Sequence, residues 1–222
     1  MTGWQCPACD AGQRQFGCAC PVPCPSPWCG SPRERAASEP ERDFILPEDI
    51  LSAVTAEEAA ALADLARGKL VIEMGAFHGF STIVLASVAD WVVSVDWHMG
   101  DIHAGLGDTW AIFSGNIRRY GVQDRVQVIR DRFETALPKL LAEADGEPFM
   151  DGAFIDAQHD EESVARDVAL VLPLIKPGGF ISWHDYGRSA ATGNDGFGVT
   201  QVADRYGVAG VVNCLAWWFK PA

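Results

Sequence analysis

The stretch from Lys69 to Thr82, KLVIEMGAFHGFST, restricts the fold more than any other part of the chain. It begins as a short apolar strand, Leu70-Val71-Ile72, reaches an acid, Glu73, and enters a loop with glycines at Gly75 and Gly79. After Ser81 and Thr82 an apolar run over residues 83–88 reads as a helix. A strand that empties through a glycine loop into a helix start is the α/β arrangement for holding a nucleotide cofactor. The glycines let ligand and backbone approach closely, and free N–H groups at the helix start face the ligand. The NAD fingerprint places glycines at its first, third and sixth positions. Here they stand four apart, with an acid two residues before the first, and that loop fits poorly.

The flanking sequence supplies the other layers of such a fold. Thr55-Ala-Glu-Glu58 is a capping box, in which threonine and glutamate satisfy each other's free backbone donors. Strong helix formers follow over residues 59–66, and Gly68 stops the helix. Downstream, residues 91–95 (WVVSV) read as the second strand, closing with Asp96, 21 residues after Gly75. In nucleotide-binding α/β folds an acid at this place accepts the two ribose hydroxyls. Residues 97–110 carry His98, Asp101 and His103 and read as a mobile loop over the site, either substrate-facing or solvated.

A helix over 111–120, stopped by Gly121, leads to a third strand over 125–130 that ends at Asp131. A helix over 133–144 precedes Phe149-Met-Asp-Gly-Ala-Phe-Ile-Asp156, a buried strand with His159 three residues beyond its end. The helix over 161–172 buries Val164, Val168 and Leu172 at four-residue spacing. Pro177-Gly178-Gly179 reads as a turn before a strand over 180–183, which ends in His184-Asp185-Tyr186. Residues 187–197 form a polar, glycine-rich loop able to close over substrate, and a short helix spans 198–206. Two strands over 208–212 and 215–219 flank Asn213-Cys214 as a hairpin, and Trp217 and Trp218 fit either the core or a contact in a homo-oligomer.

Glu73-x-Gly75-x-x-x-Gly79-x-Ser81 resembles motif I of class I S-adenosylmethionine-dependent methyltransferases. The resemblance covers about residues 44 to 220. It implies a Rossmann-like, seven-stranded, mostly parallel sheet with helices on both faces and an antiparallel strand in a C-terminal hairpin. It also implies that the loop cradles the methionine part of the cofactor and that Asp131 lies near the adenine amino group. Asp156-x-x-His159 on one strand end and His184-Asp185 on the next are similar to a subgroup of small-molecule O-methyltransferases, including macrolide-sugar and cephalosporin-tailoring enzymes. That similarity makes His159 the general base and Asp156 and Asp185 ligands of a divalent ion, Mg or Mn. The better-known members have Glu where this chain has His184. An imidazole there favours Mn, Fe or Zn over Mg, or leaves the site without a metal.

Composition bounds the rest. A chain of 222 residues with 48% hydrophobic and 21% charged residues suits one sizeable core plus an appendage. The formal charge of −13 disfavours binding to phosphate backbones and anionic membranes. No run approaches 18 apolar residues, and the N-terminus lacks the basic start and apolar core of a secretory signal, so the expected compartment is the cytoplasm. Residues 1–43 read as a Cys/Pro-rich extension ahead of a methyltransferase domain over 44–222. Six of the seven cysteines lie between Cys6 and Cys29, where a CxxC pair and two more thiolates are a candidate zinc site. The irregular spacing equally fits a leader with little regular structure. The expected partner is a small-molecule hydroxyl acceptor, with no nucleic acid and no membrane. The competing functions are a nucleotide or metabolite binder without turnover and an NAD-dependent oxidoreductase.

Overall fold

The computed structural model describes residues 42–101, 105–194 and 196–222, and the cysteine-rich segment with its candidate zinc site lies outside them. Residues 43–222 form one compact unit. Seven strands make its sheet: β1 (Leu70–Met74), β2 (Trp91–Val95), β5 (Val126–Ile129), β6 (Met150–Ile155), β7 (Ile175–Trp183), β8 (Gly210–Val212) and β9 (Leu215–Phe219). Two short strands, β3 (Gly100–Asp101) and β4 (Gly105–Leu106), form a separate ribbon within the loop after β2. The helices are α1 (Ala56–Ala66), α2 (Phe80–Val88), α3 (Trp110–Arg119), α4 (Phe133–Glu143), α5 (Glu161–Val171) and α6 (Val199–Tyr206).

The sheet order is β5-β2-β1-β6-β7-β9-β8. Strands β5 to β7 pair in parallel, while β9 runs antiparallel to both β7 and β8. The order reverses between β1 and β6. Right-handed crossovers therefore place α2 and α3 on one face and α4 and α5 on the other. The reversal leaves a crevice at the carboxyl ends of β1 and β6, where ligands bind in open α/β sheets. Strands β1 and β2 are apolar almost throughout because helices cover both faces.

Helix α2 is buried at every position, which accounts for how its polar residues behave. Ser81 and Thr82 donate to Glu73, and Ser87 Oγ donates to the Val84 carbonyl. It packs against α1, where the small side chains of Ala59, Ala63 and Ala66 permit close approach around buried Leu62. Burying that leucine alone is worth about 2 kcal/mol. The capping box of α1 forms as expected, and Gly68 takes φ +66° just beyond the helix.

Three local expectations change. Helix α2 begins at Phe80 rather than Ile83, because Gly79 at φ +90° turns the chain directly into it. Pro177-Gly178-Gly179 is not a turn but lies inside β7. The pairing of β6 with β7 shifts register there, and Gly178 N–H and the Gly179 carbonyl bond instead to Lys220. His98 is neither substrate-facing nor solvated. Its fully buried ring packs on Phe113 and Trp110, with Nδ1 3.0 Å from Thr109 Oγ1, and burial lowers its pKa. Trp218 packs on Tyr206, and Trp217 lies over Gly210, where a Cβ would meet its ring at 2.1 Å.

Helix α5 contains one costly group. Asp167 is 1% exposed, neither carboxylate oxygen has a hydrogen bond, and burial pushes its pKa up to about 7. A carboxyl that is harder to ionise when folded destabilises the fold progressively as pH rises from about 4 to about 7. Asp167→Asn removes that charge. In denaturant unfolding the variant gains about 1–3 kcal/mol over the wild type at pH 8 and little at pH 4. An equal gain at both pH values would show that the ionised form is not the cause.

Candidate active site

The site is built at the carboxyl ends of β1, β2, β5, β6 and β7, around a cleft of about 1030 Å³. That lies at the upper end of the ~300–1,000 Å³ usual for ligand clefts. Gly75, Ala76, Phe77, His78 and Ser81 from the glycine loop line it, together with Asp96, Asp131, Asp156, His159 and Asp185.

The loop is held from both sides. Asp96 Oδ2 accepts the N–H groups of Ala76 and Phe77 at 2.7 and 3.0 Å, and its Oδ1 accepts from His98 N–H at 2.5 Å. These bonds stabilise Phe77 at φ +46°, a conformation in which a bulky residue is strained. Gly75, at φ +91°, passes so close to β6 that a Cβ would lie 2.0 Å from the Asp156 carbonyl oxygen. Glu73 is fully buried beneath the loop rather than on the cleft wall. Ser81, Thr82 and Ser94 hydroxyls donate to it at 2.5–2.7 Å, while burial drives its pKa up to about 7. Asp131 reaches the cleft as a partly exposed side chain whose Oδ1 accepts the Arg132 N–H at 2.8 Å. Arg132 in turn lies 4.6 Å over the Trp97 ring.

On the other side, β6 and β7 are hydrogen-bonded neighbours, so their ends bring four polar residues together. His159 Nε2 lies 2.9 Å from Asp185 Oδ2, and the His159 ring stacks on Phe197 at 4.4 Å. Arg188 Nε is 2.7 Å from Asp185 Oδ1. Asp185 adopts φ +63°, a left-handed conformation that aspartate tolerates better than most residues. Burial works against its ionisation, but the two histidines outweigh it and hold the carboxyl well below the usual range. Asp156, facing the cleft, has its pKa raised by burial.

His184 is the least expected part of the cluster. Its Nε2 is 3.3 Å from Glu58 Oε2 in α1, and both side chains are 1% exposed. Its Nδ1 has no hydrogen-bond partner and lies 3.4 Å from Asp185 Oδ1 and 3.7 Å from Asp156 Oδ1. Burial alone would lower the imidazole pKa, yet Asp156, Asp185 and Glu58 together push it up to about 11. Glu58 moves the other way. Burial opposes its charge, but His184 and the Thr55 and Cys214 N–H groups bring its pKa to about 2.

One nitrogen and two carboxylates, all within 4.8 Å of one another, form a donor set that fits a divalent cation. Nδ1, which faces both carboxylates within ion-pair distance but makes no hydrogen bond, is the atom such a cation would satisfy. Glu58, Arg188, Phe197, Trp97 and His78 also belong to the site or its support but carry no motif. Glu58 alone had a signal, and that signal described a helix cap.

The sheet order, the antiparallel β9 and the glycine loop at the switch point define a class I S-adenosylmethionine-dependent methyltransferase. The chain belongs to the methyltransferase-domain family, which matches residues 72–186, more than half of it. Among solved structures it is similar to an O-methyltransferase from Bacillus cereus in complex with SAH, with 26% identity and a TM-score of 0.51 over 72% of this chain and 70% of that one. The O-methyltransferase TomG from Streptomyces achromogenes, involved in tomaymycin synthesis and solved with SAM, is 19% identical with a TM-score of 0.56 over 77% and 82%. The O-methyltransferase NovP is 15% identical with a TM-score of 0.58 over 77% and 84%. At these lower identities TomG and NovP attest the fold alone. No curated protein matches the chain in sequence.

Proposed function

We propose that the chain transfers the methyl group of S-adenosylmethionine to a hydroxyl of a small molecule. The observation that carries this reading is the His159–Asp185 pair, 2.9 Å apart on a cleft wall shared with the glycine loop and Asp96. The likeness to the Bacillus cereus O-methyltransferase supports oxygen as the acceptor atom. Exposed Leu51, Trp97 and Met99 on the cleft support an acceptor with an apolar portion. The catalytic domain spans residues 44–222, with 1–43 as an extension.

S-adenosylmethionine supplies an electrophilic methyl carbon, so the protein's tasks are to align the hydroxyl and accept its proton. Alignment is the larger contribution, about 7–11 kcal/mol in well-oriented systems. Gly75, Gly79 and Ser81 shape the cofactor loop, Glu73 anchors it from below, and Asp96 holds it and receives the ribose hydroxyls. Asp131 serves the adenine end, and Asp156 borders both cofactor and acceptor. His159 takes the acceptor proton, and Asp185, which engages its Nε2 at 2.9 Å, offsets the charge of the imidazolium that results. Asp156, His184 and Asp185 would hold a divalent ion, the nitrogen ligand favouring Mn over Mg, and such an ion would lower the pKa of the acceptor hydroxyl.

The test is calorimetric titration of S-adenosylmethionine and NAD into the full chain. S-adenosylmethionine binds in the micromolar range and NAD does not. Asp96→Ala weakens binding about 100-fold, since it removes charge-assisted hydrogen bonds worth about 1.5–3 kcal/mol each and releases the loop. A folded protein that binds neither ligand would end the enzymatic reading.

A further inference from the structure

We infer that Glu58 is the positioning residue of the cation site, acting through His184. The inference rests on the metal reading above and adds to it a residue from a distant part of the chain. Glu58 is the third residue of α1, and its place in the capping box explains only one of its three contacts. Oε2 accepts the Thr55 N–H at 2.7 Å and faces His184 Nε2 at 3.3 Å, while Oε1 accepts the Cys214 N–H at 2.6 Å. The carboxylate thus joins the start of α1, the end of β7 and the turn between β8 and β9.

An imidazole can ligate through only one nitrogen at a time, and the partner of the other nitrogen decides which. Glu58 occupies the Nε2 side of His184 in a place closed to solvent. Nδ1 is left facing Asp156 and Asp185 without a hydrogen bond. The His184 backbone N–H is separately fixed to the Ile155 carbonyl at 3.1 Å, so the ring is held at both backbone and side chain. When a cation takes the place of the Nδ1 proton, Glu58 keeps the proton on Nε2, and the Nδ1 lone pair is left facing the space between the ring and the two carboxylates. Glu58 converts a buried histidine into an oriented nitrogen ligand, and the site's preference for Mn over Mg follows from that orientation.

The experiment measures Mn²⁺ and Mg²⁺ affinity of the full chain by calorimetry, with Mn²⁺ binding repeated by electron paramagnetic resonance. Glu58→Gln weakens Mn²⁺ binding about 10–100-fold, the usual cost of removing such a partner. It leaves S-adenosylmethionine affinity within twofold and narrows the preference for Mn²⁺. Thr55→Ala, which removes the cap hydroxyl and spares the imidazole contact, loses helix stability but keeps wild-type Mn²⁺ affinity. In a His184→Ala background, Glu58→Gln has no further effect on Mn²⁺, because its influence passes through the ring. Wild-type Mn²⁺ affinity in a folded Glu58→Gln protein would overturn the assignment, as would an undiminished effect in the His184→Ala background. A wild-type protein that binds neither ion defeats the metal reading itself, and the role of Glu58 falls with it.

Discussion

His159→Ala lowers turnover by about 10²–10⁴-fold while S-adenosylmethionine affinity stays at the wild-type value. The ring touches Asp185 and Phe197 at the end of β6, away from the bonds that hold the glycine loop, so its removal does not disturb the cofactor side. Asp185 keeps Arg188 at 2.7 Å and His184 at 3.4 Å, which limits the structural cost of losing one partner. Single-turnover methyl transfer, measured beside calorimetric cofactor binding, separates the two quantities. The loss falls on the chemical step, and raising the pH restores part of it as the acceptor hydroxyl ionises unaided. Turnover within twofold of the wild type would remove His159 from the mechanism and leave the proton to solvent.

Gly75→Ala is expected to be the most destabilising single methyl in the site. The added carbon meets the Asp156 backbone carbonyl, just past the end of β6, at 2.0 Å, and neither strand can retreat without parting the central pair of the sheet. The residue also sits at φ +91°, which costs alanine about 1–2 kcal/mol before any contact is counted. Overpacking adds about 1–3 kcal/mol, so the variant loses about 2–5 kcal/mol and melts about 10 °C lower. Gly121→Ala is the control. It has φ +69° and nothing within 4 Å of the added carbon, and it costs only the conformational term, about 1 kcal/mol. Equal losses for the two variants, followed by thermal circular dichroism, would mean that the close strand approach carries no weight.

Much of the site was legible because its residues stand at strand ends. Asp156, His159, His184 and Asp185 meet because two adjacent parallel strands finish together, and parallel topology follows from the alternation of strands and helices. Asp96 was legible by its distance from Gly75. Glu58 was visible only as a cap, since its other partners lie 126 and 156 residues away and no local rule reaches them. His98 misled because its neighbours in sequence are polar and glycine-rich. Phe113 and Trp110, which bury its ring, belong to the following helix. Asp167 gave no signal either. One residue before Val168 on an amphipathic helix, it has the look of a surface position, yet the fold buries it. Pro177-Gly178-Gly179 carries turn chemistry, but the partner that recruits it into β7 is Lys220, more than forty residues on.

The position of β9 has a consequence for how the protein is made. This strand lies between β7 and β8, and β9 is the sole hydrogen-bonded strand neighbour of β8 among the described residues. A ribosome delivers β8 first, when no docking edge exists for it, and the sheet can extend past β7 only after residues 215–219 have emerged. The Cys214 N–H that Glu58 accepts and the Cys214 carbonyl that Tyr186 N–H binds arrive in the same step. The Cys214 contacts with Glu58 and Tyr186 are therefore among the last that the sheet can make.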